Sequence, residues 1–80
     1  MINIDELKKK IIYRSNYRGT KEMDIYVSSF VKSIIDSLSM DDLKDLDLLV
    51  NMNDEDISKI SKNEISFENK KILKLLIDFK

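Results

Sequence analysis

The sequence predicts an all-α fold, a small single-domain bundle of about five helices that occupies residues 1–80. Three observations favour this fold class. Apolar residues recur every three or four positions, which is the spacing of amphipathic helices. The chain has one glycine and no proline, so few residues interrupt a helix. No stretch alternates apolar and polar residues as strands do, and several helices around one core form a bundle.

The first two helices are predicted on either side of Gly19. Apolar residues follow one face of a helix from Ile4 to about Arg18. Gly19 suits the position just after a helix end, because glycine adopts a positive φ without steric cost. Thr20 then caps a second helix from about Lys21 to Leu38, whose wide apolar face makes it the central helix of the bundle.

Three shorter helices are predicted to follow. Ser39 caps a third helix that ends near Asn51, because the acidic residues after this serine favour the positive end of a helix. The run from Asn53 to Asp56 repeats this start before a short fourth helix. Ser66 is predicted to cap a fifth helix, whose apolar face extends to Phe79.

The composition argues against an enzyme. The chain has no histidine and no cysteine, so it lacks the usual general base and every thiolate ligand. We therefore predict no catalytic residue and no metal site. The acidic run from Asp41 to Asp47 lacks the glycine turn and the ligand spacing of a calcium loop, and a helix start explains it better.

The net charge of −1 is unevenly distributed along the chain. Residues 1–21 carry a net charge of +4, residues 22–56 carry −8, and residues 57–80 carry +3. The sequence pI of 5.4 argues against a nucleic-acid-binding protein. No apolar run reaches the roughly 20 residues that span a bilayer, and the first residues lack the apolar core of a signal peptide. We therefore expect a cytoplasmic protein of bacterial type, without nucleic acid as a partner and without membrane insertion.

Two arginines stand out in a chain with twelve lysines. Arg14 and Arg18 lie one helical turn apart beside Gly19, and the planar guanidinium group is suited to pairing with carboxylates. Arg18 and Glu22 are four residues apart. One interpretation is an intramolecular pair across the helix junction, and the other is a contact between these charges and a protein partner.

The tyrosines and the lysine run near this junction also have two interpretations each. Tyr13, Tyr17 and Tyr26 suit an interface, because tyrosine brings a large contact area with few rotatable bonds, but tyrosine also lines the rim of a helical core. The run from Lys8 to Lys10 is explained by a solvated helix face, with contact to phosphate or to an acidic surface as the alternative.

The string from Tyr13 to Asp24 resembles the signature of the small succinate dehydrogenase flavinylation factors, which are FAD assembly factors. The start of this string, YRS, is similar to the alphaproteobacterial branch. The family hallmark is Arg-Gly-x-x-Glu followed by x-Asp, and it is matched here by Arg18, Gly19, Glu22 and Asp24. The resemblance covers roughly residues 7–60. The chain departs from the family at three places. Many members carry a second arginine at the position of Tyr17, a proline near Ser28 or Ser29, and a tryptophan at the position of Ile60.

The resemblance implies a five-helix chaperone. Such a protein binds the flavoprotein subunit of succinate dehydrogenase and promotes the covalent attachment of FAD to a histidine of that subunit. It holds no stable cofactor itself, and we expect a monomer when it is free. Whether a fumarate reductase-type subunit is also a client stays open. The resemblance implies Arg18, Gly19, Glu22 and Asp24 as partner-binding residues, and the arginine and tyrosine pattern at the same junction adds Arg14 and Tyr17 to this set.

The resemblance also gives these residues separate roles. Arg18 and Glu22 would make charge-assisted contacts with the partner, Gly19 would let the two backbones approach closely, and Asp24 would order the motif. Two other hypotheses remain open. One is a generic helical adaptor that uses the Arg18–Glu22 junction to bind a different protein. The other is a small nucleic-acid binder that uses Lys8 to Arg18, whose affinity would fall steeply with salt.

Overall fold

Five α-helices and one 3₁₀ turn form the secondary structure of residues 3–16 and 20–79, the residues that the computed structural model describes. This part of the chain contains no strand, so the predicted all-α fold class is confirmed. The elements are, in chain order, α1 Ile4–Ser15, α2 Lys21–Ile34, the 3₁₀ turn Ile35–Ser37, α3 Met40–Val50, α4 Asp54–Ser61 and α5 Lys70–Asp78.

Each of these α-helices begins after a polar residue that caps its first turn. The side-chain oxygen of the cap accepts a hydrogen bond from the backbone N–H three residues later, which satisfies a donor that the helix itself leaves unpaired. The predicted caps Thr20 and Ser39 are confirmed, and so is the predicted start at Asn53. The full set of caps is Asn3, Thr20, Ser39, Asn53 and Asn69.

The predicted cap at Ser66 is wrong, because α5 begins only after Asn69. The side-chain oxygen of Asn69 accepts from the backbone N–H of Ile72 at 3.1 Å. Its amide nitrogen donates to carboxylates of Asp42 and Asp45 on α3, at 2.9 Å in each case. A serine hydroxyl has one proton and could not bond both carboxylates while it capped the helix. Asn69 therefore fixes the start of α5 and ties that start to α3.

Two helices end earlier than the sequence predicts. α1 ends at Ser15 and not near Arg18, and α2 ends at Ile34 and not at Leu38, since the 3₁₀ turn replaces its last turn. Serines near these ends bond the carbonyl three residues before them, and such bonds compete with the hydrogen bonds of the helix. These bonds are Ser15 to Ile12 at 2.8 Å, Ser33 to Phe30 at 2.6 Å and Ser37 to Ile34 at 2.8 Å.

The core is built from apolar residues of every helix. α1 packs against α2 and α3, and α5 packs against α3 and α4. Phe79 was predicted within the last helix but lies just after α5, where its ring packs against Phe30 at 5.4 Å and Tyr26 at 5.9 Å between ring centroids. Ile60, where the family resemblance leads one to expect tryptophan, is fully buried, so α4 packs against the core with the smaller side chain.

The basic ends of the chain lie against its acidic middle. Lys8 and Lys10 on α1 form ion pairs with Asp36 at 3.2 Å and Asp47 at 3.3 Å. Lys71 of α5 pairs with Asp42 of α3 at 3.1 Å. The uneven distribution of charge along the sequence is therefore partly balanced at the surface of the fold, where oppositely charged side chains of neighbouring elements face each other.

Candidate functional site

The junction between α1 and α2 carries the charged residues that the sequence singled out. Arg14 lies in the last turn of α1, and Glu22 and Asp24 lie in the first turn of α2. Thr20 fixes the start of α2, because its hydroxyl oxygen accepts from the Met23 N–H at 3.2 Å. Its carbonyl oxygen also accepts from the Asp24 N–H at 3.0 Å. Two acidic residues at this position are favoured by the positive end of the helix dipole.

Arg14 and Glu22 are both exposed at this junction. Within residues 3–16 and 20–79, neither side chain forms a hydrogen bond or an ion pair. An exposed charge is accessible to a partner, with which it can make a charge-assisted hydrogen bond. The described part of the junction thus presents one exposed cation and one exposed anion.

Of the other motif residues, Asp24 lies in the part of the chain that the structure describes. Asp24 is half-buried beside the helix start, so it is less open to an outside partner than Glu22. Tyr17, Arg18 and Gly19 were also predicted to bind the partner, and they lie outside the described residues. The intramolecular pair between Arg18 and Glu22 therefore stays one of two interpretations.

The tyrosines divide between the two roles that the sequence left open. Tyr26 is half-buried and packs its ring against Phe79, so it belongs to the rim of the core. Tyr13 is 64% exposed on the last turn of α1, one residue from Arg14, so it does not belong to the core. Tyr17 lies outside the described part of the chain.

The lysine run of α1 is partly neutralised by the fold. Lys8 and Lys10 face Asp36 and Asp47, while Lys9 between them is exposed. A nucleic-acid surface depends on cations that are free to displace counterions from phosphates. Two of the three lysines in this run already face carboxylates, which argues against the nucleic-acid hypothesis.

The acidic residues of α3 are used to hold helices together. The hydrogen bond from the Asn69 amide and the neighbouring Lys71 ammonium hold the pKa of Asp42 below its usual value. Asp45 shares the same Asn69 amide, and Asp47 pairs with Lys10. Among the described residues, no group of three or more acidic side chains is arranged to hold a metal ion.

None of the helices in the described ranges is long and apolar enough to cross a membrane.

One exposed residue near the junction was missed by the sequence reasoning. Ile25 follows Asp24 on α2 and is 57% exposed. The sequence contained a signal for it, because Ile25 lies off the stripe of apolar residues at positions 23, 27, 30 and 34 that forms the buried face of α2. An isoleucine outside that stripe is predicted to point away from the core.

Comparisons with known proteins give relatives from bacteria and eukaryotes. The chain is 29% identical over 56 residues to the FAD assembly factor SdhE of Acetobacter pasteurianus, which covers 70% of this chain and 51% of that protein. It is 39% identical over 54 residues to the mitochondrial succinate dehydrogenase assembly factor 2 of Dictyostelium discoideum, covering 68% of this chain and 38% of that protein. The protein of the same name in Candida glabrata is 33% identical over 84 residues, with coverages of 96% and 55%.

The chain spans about half the length of these relatives or less. No solved structure gives a significant match to the chain. The family model described as flavinator of succinate dehydrogenase matches residues 9–80, a range that includes the whole α1–α2 junction. The resemblance predicted from the motif is confirmed, and the chain belongs to the family of succinate dehydrogenase flavinators.

Proposed function

We propose that this chain is an assembly factor that binds the flavoprotein subunit of succinate dehydrogenase and promotes the covalent attachment of FAD to that subunit. Membership of the flavinator family supports this role. The names of the relatives, which are FAD or succinate dehydrogenase assembly factors, support it as well. The chain acts as a chaperone and not as an enzyme, and it binds no stable cofactor of its own. The flavin-accepting residue and the flavin both belong to the partner.

The observation that carries the proposal is that two residues of opposite charge are exposed at the α1–α2 junction. Arg14 and Glu22 lie on the two sides of residues 17–19, and neither charge is paired within the described residues. A protein partner with a carboxylate and a cation at matching positions can bind both of them. Arg18 and Gly19 complete the motif in sequence, and we propose that they contact the same partner surface, with Tyr17 beside them.

The mechanism requires that binding changes the partner. A chain without a catalytic group can accelerate flavin attachment if it binds the attachment-competent conformation of the flavoprotein subunit more tightly than other conformations. The size of the effect is limited by that difference in affinity. Residues 1–80 would act as one folded unit in this role, since the core joins all five described helices.

Co-expression with the cognate flavoprotein subunit tests the proposal. Covalent flavin is read as in-gel fluorescence of the denatured subunit, with the chain present, omitted, or carrying Glu22→Ala or Arg18→Ala. Glu6→Ala is the matched control, because Glu6 is an exposed glutamate in the first turn of another helix. Circular dichroism establishes that each variant remains helical.

We expect strong fluorescence with the unaltered chain and with Glu6→Ala, and weak fluorescence with the two motif variants or without the chain. Equal fluorescence in every lane would contradict the proposal and favour the alternative of a helical adaptor with another protein partner.

A further inference from the structure

The outer face of α2 carries an apolar side chain next to the glutamate of the junction. Ile25 is 57% exposed, whereas every other large apolar residue of α2 is buried or half-buried. Residues three apart on a helix are neighbours on its surface, so Ile25 lies one turn along from Glu22 on the same face. A single exposed isoleucine is ordinary by itself. This one adjoins a carboxylate that is unpaired within the described residues.

The same face continues with two polar residues. Ser29 follows Ile25 by four positions and Lys32 follows Ser29 by three, and both are exposed. We call Glu22, Ile25, Ser29 and Lys32 the α2 strip. Its two ends are ten residues apart, or about 15 Å along the helix axis at about 1.5 Å per residue. The strip thus presents, in order, an anion, an apolar side chain, a small side chain and a cation.

We infer that the α2 strip is a docking surface for the flavoprotein subunit, and that Ile25 inserts into an apolar pocket of that subunit. This inference rests on the proposed function and extends the contact surface from the junction along α2. A complementary surface presents a cation, an apolar pocket and an anion in that order over about 15 Å. A folded protein can offer this sequence of groups, whereas a nucleic acid offers an array of one charge sign. The short side chain of Ser29 lets the partner approach the helix closely beside the pocket.

Leu48 provides a matched control for Ile25. It is 59% exposed, nearly the same fraction as Ile25, and it lies on α3 outside the strip. Ile25→Ser and Leu48→Ser therefore remove similar amounts of exposed aliphatic surface from two different helices. Ile25→Leu keeps an apolar side chain at the strip, and Lys32→Glu reverses the charge at its far end.

The experiment measures the dissociation constant between each purified variant of the chain and the purified cognate flavoprotein subunit by titration calorimetry. We expect Ile25→Ser to raise Kd at least about tenfold, as truncation of a central interface residue does. Leu48→Ser and Ile25→Leu should stay within about twofold of the unaltered chain, and Lys32→Glu should weaken binding about threefold or more. Circular dichroism of each variant reports the helical content. If Ile25→Ser lowers that content, the dissociation constant of Lys32→Glu is compared with that of the unaltered chain, and equal values would overturn the inference.

The outcomes separate this inference from the proposed function. If the unaltered chain binds and promotes flavin attachment but Ile25→Ser binds as tightly as Leu48→Ser, the strip is not the docking surface and the proposed function stands. Equal weakening by both serine variants would also overturn the inference, because the effect would not depend on the strip. If the unaltered chain does not bind the subunit, the proposed function fails and the inference fails with it.

Discussion

Replacing Asn69 with alanine removes three hydrogen bonds, two of which dock the start of α5 onto α3. One is the bond from the Ile72 N–H to the capping side-chain oxygen at 3.1 Å. The other two are hydrogen bonds that the side-chain amide donates to Asp42 and Asp45, at 2.9 Å each. Loss of an N-cap costs about 1 kcal/mol. The two hydrogen bonds to the carboxylates add only about 0.5–1 kcal/mol each, because the carboxylates regain water when the side-chain amide is removed. The expected loss in the free energy of unfolding is therefore about 2–3 kcal/mol.

Asn53→Ala is the matched control for this prediction. Asn53 caps α4 through a bond of 2.8 Å from the Asp56 N–H, and its side chain has no carboxylate partner within the described residues. Its replacement should cost about 1 kcal/mol, the value of a cap alone. Asn69→Ser keeps the cap but cannot bond both carboxylates, so its stability should lie between those of Asn69→Ala and the unaltered chain.

Urea unfolding followed by circular dichroism at the helical minimum measures these differences. Thermal unfolding gives a second measure, because a loss of about 2–3 kcal/mol corresponds to a fall in the melting temperature of roughly 10–20 °C for a domain of this size. If Asn69→Ala is destabilised no more than Asn53→Ala, the hydrogen bonds from Asn69 to α3 contribute nothing to stability, and our explanation of where α5 begins would be wrong.

Three further predictions concern the core, the cross-helix ion pairs and the response to acid. Ile60→Ala should lower the free energy of unfolding by about 2–5 kcal/mol in the same urea assay, because the Ile60 side chain is fully buried. A loss below about 1 kcal/mol would mean that α4 is loosely packed. Lys10→Ala should cost less than about 1 kcal/mol, since the lysine side chain is half exposed, and a larger loss would show that the pair with Asp47 is worth more than a surface ion pair. The pKa of Asp42 is lower in the folded chain than its ordinary value of 3.8, so this carboxylate stabilises the fold above that pH and loses its contribution as the pH falls through the lower, folded value. Acid unfolding should therefore be steeper for the unaltered chain than for Asp42→Asn, and identical acid profiles would contradict this assignment.

Most of the fold could be predicted from local signals in the sequence. Thr20, Ser39 and Asn53 mark helix starts because a short polar side chain followed by acidic residues satisfies the first turn locally. Ser66 offered the same local signal and was wrong. The choice between Ser66 and Asn69 depends on two carboxylates of α3, which are 24 and 27 residues away in the sequence, and no local pattern records such contacts.

The candidate site was predictable to a different extent. The motif identified Glu22 and Asp24, but the sequence alone did not indicate that Glu22 is exposed while Asp24 is half-buried. The run from Lys8 to Lys10 gave no sign that its two outer lysines would pair with residues 28 and 37 positions away. Ile25 lies off the buried stripe of α2 in the helical pattern, but a single exposed isoleucine is common on protein surfaces and does not by itself indicate a site.

The initial rate of covalent FAD attachment to the flavoprotein subunit tests most directly whether the α1–α2 junction promotes that reaction. The purified flavin-free subunit is incubated with FAD and the unaltered chain, Glu22→Gln or Glu6→Gln, and covalent flavin is followed over time by fluorescence of the denatured subunit. We predict that Glu22→Gln lowers the rate about tenfold or more, the value of one hydrogen bond to a charged group, whereas Glu6→Gln leaves it unchanged. Equal rates for the two variants would contradict the claim that Glu22 and its junction form the working surface of this protein.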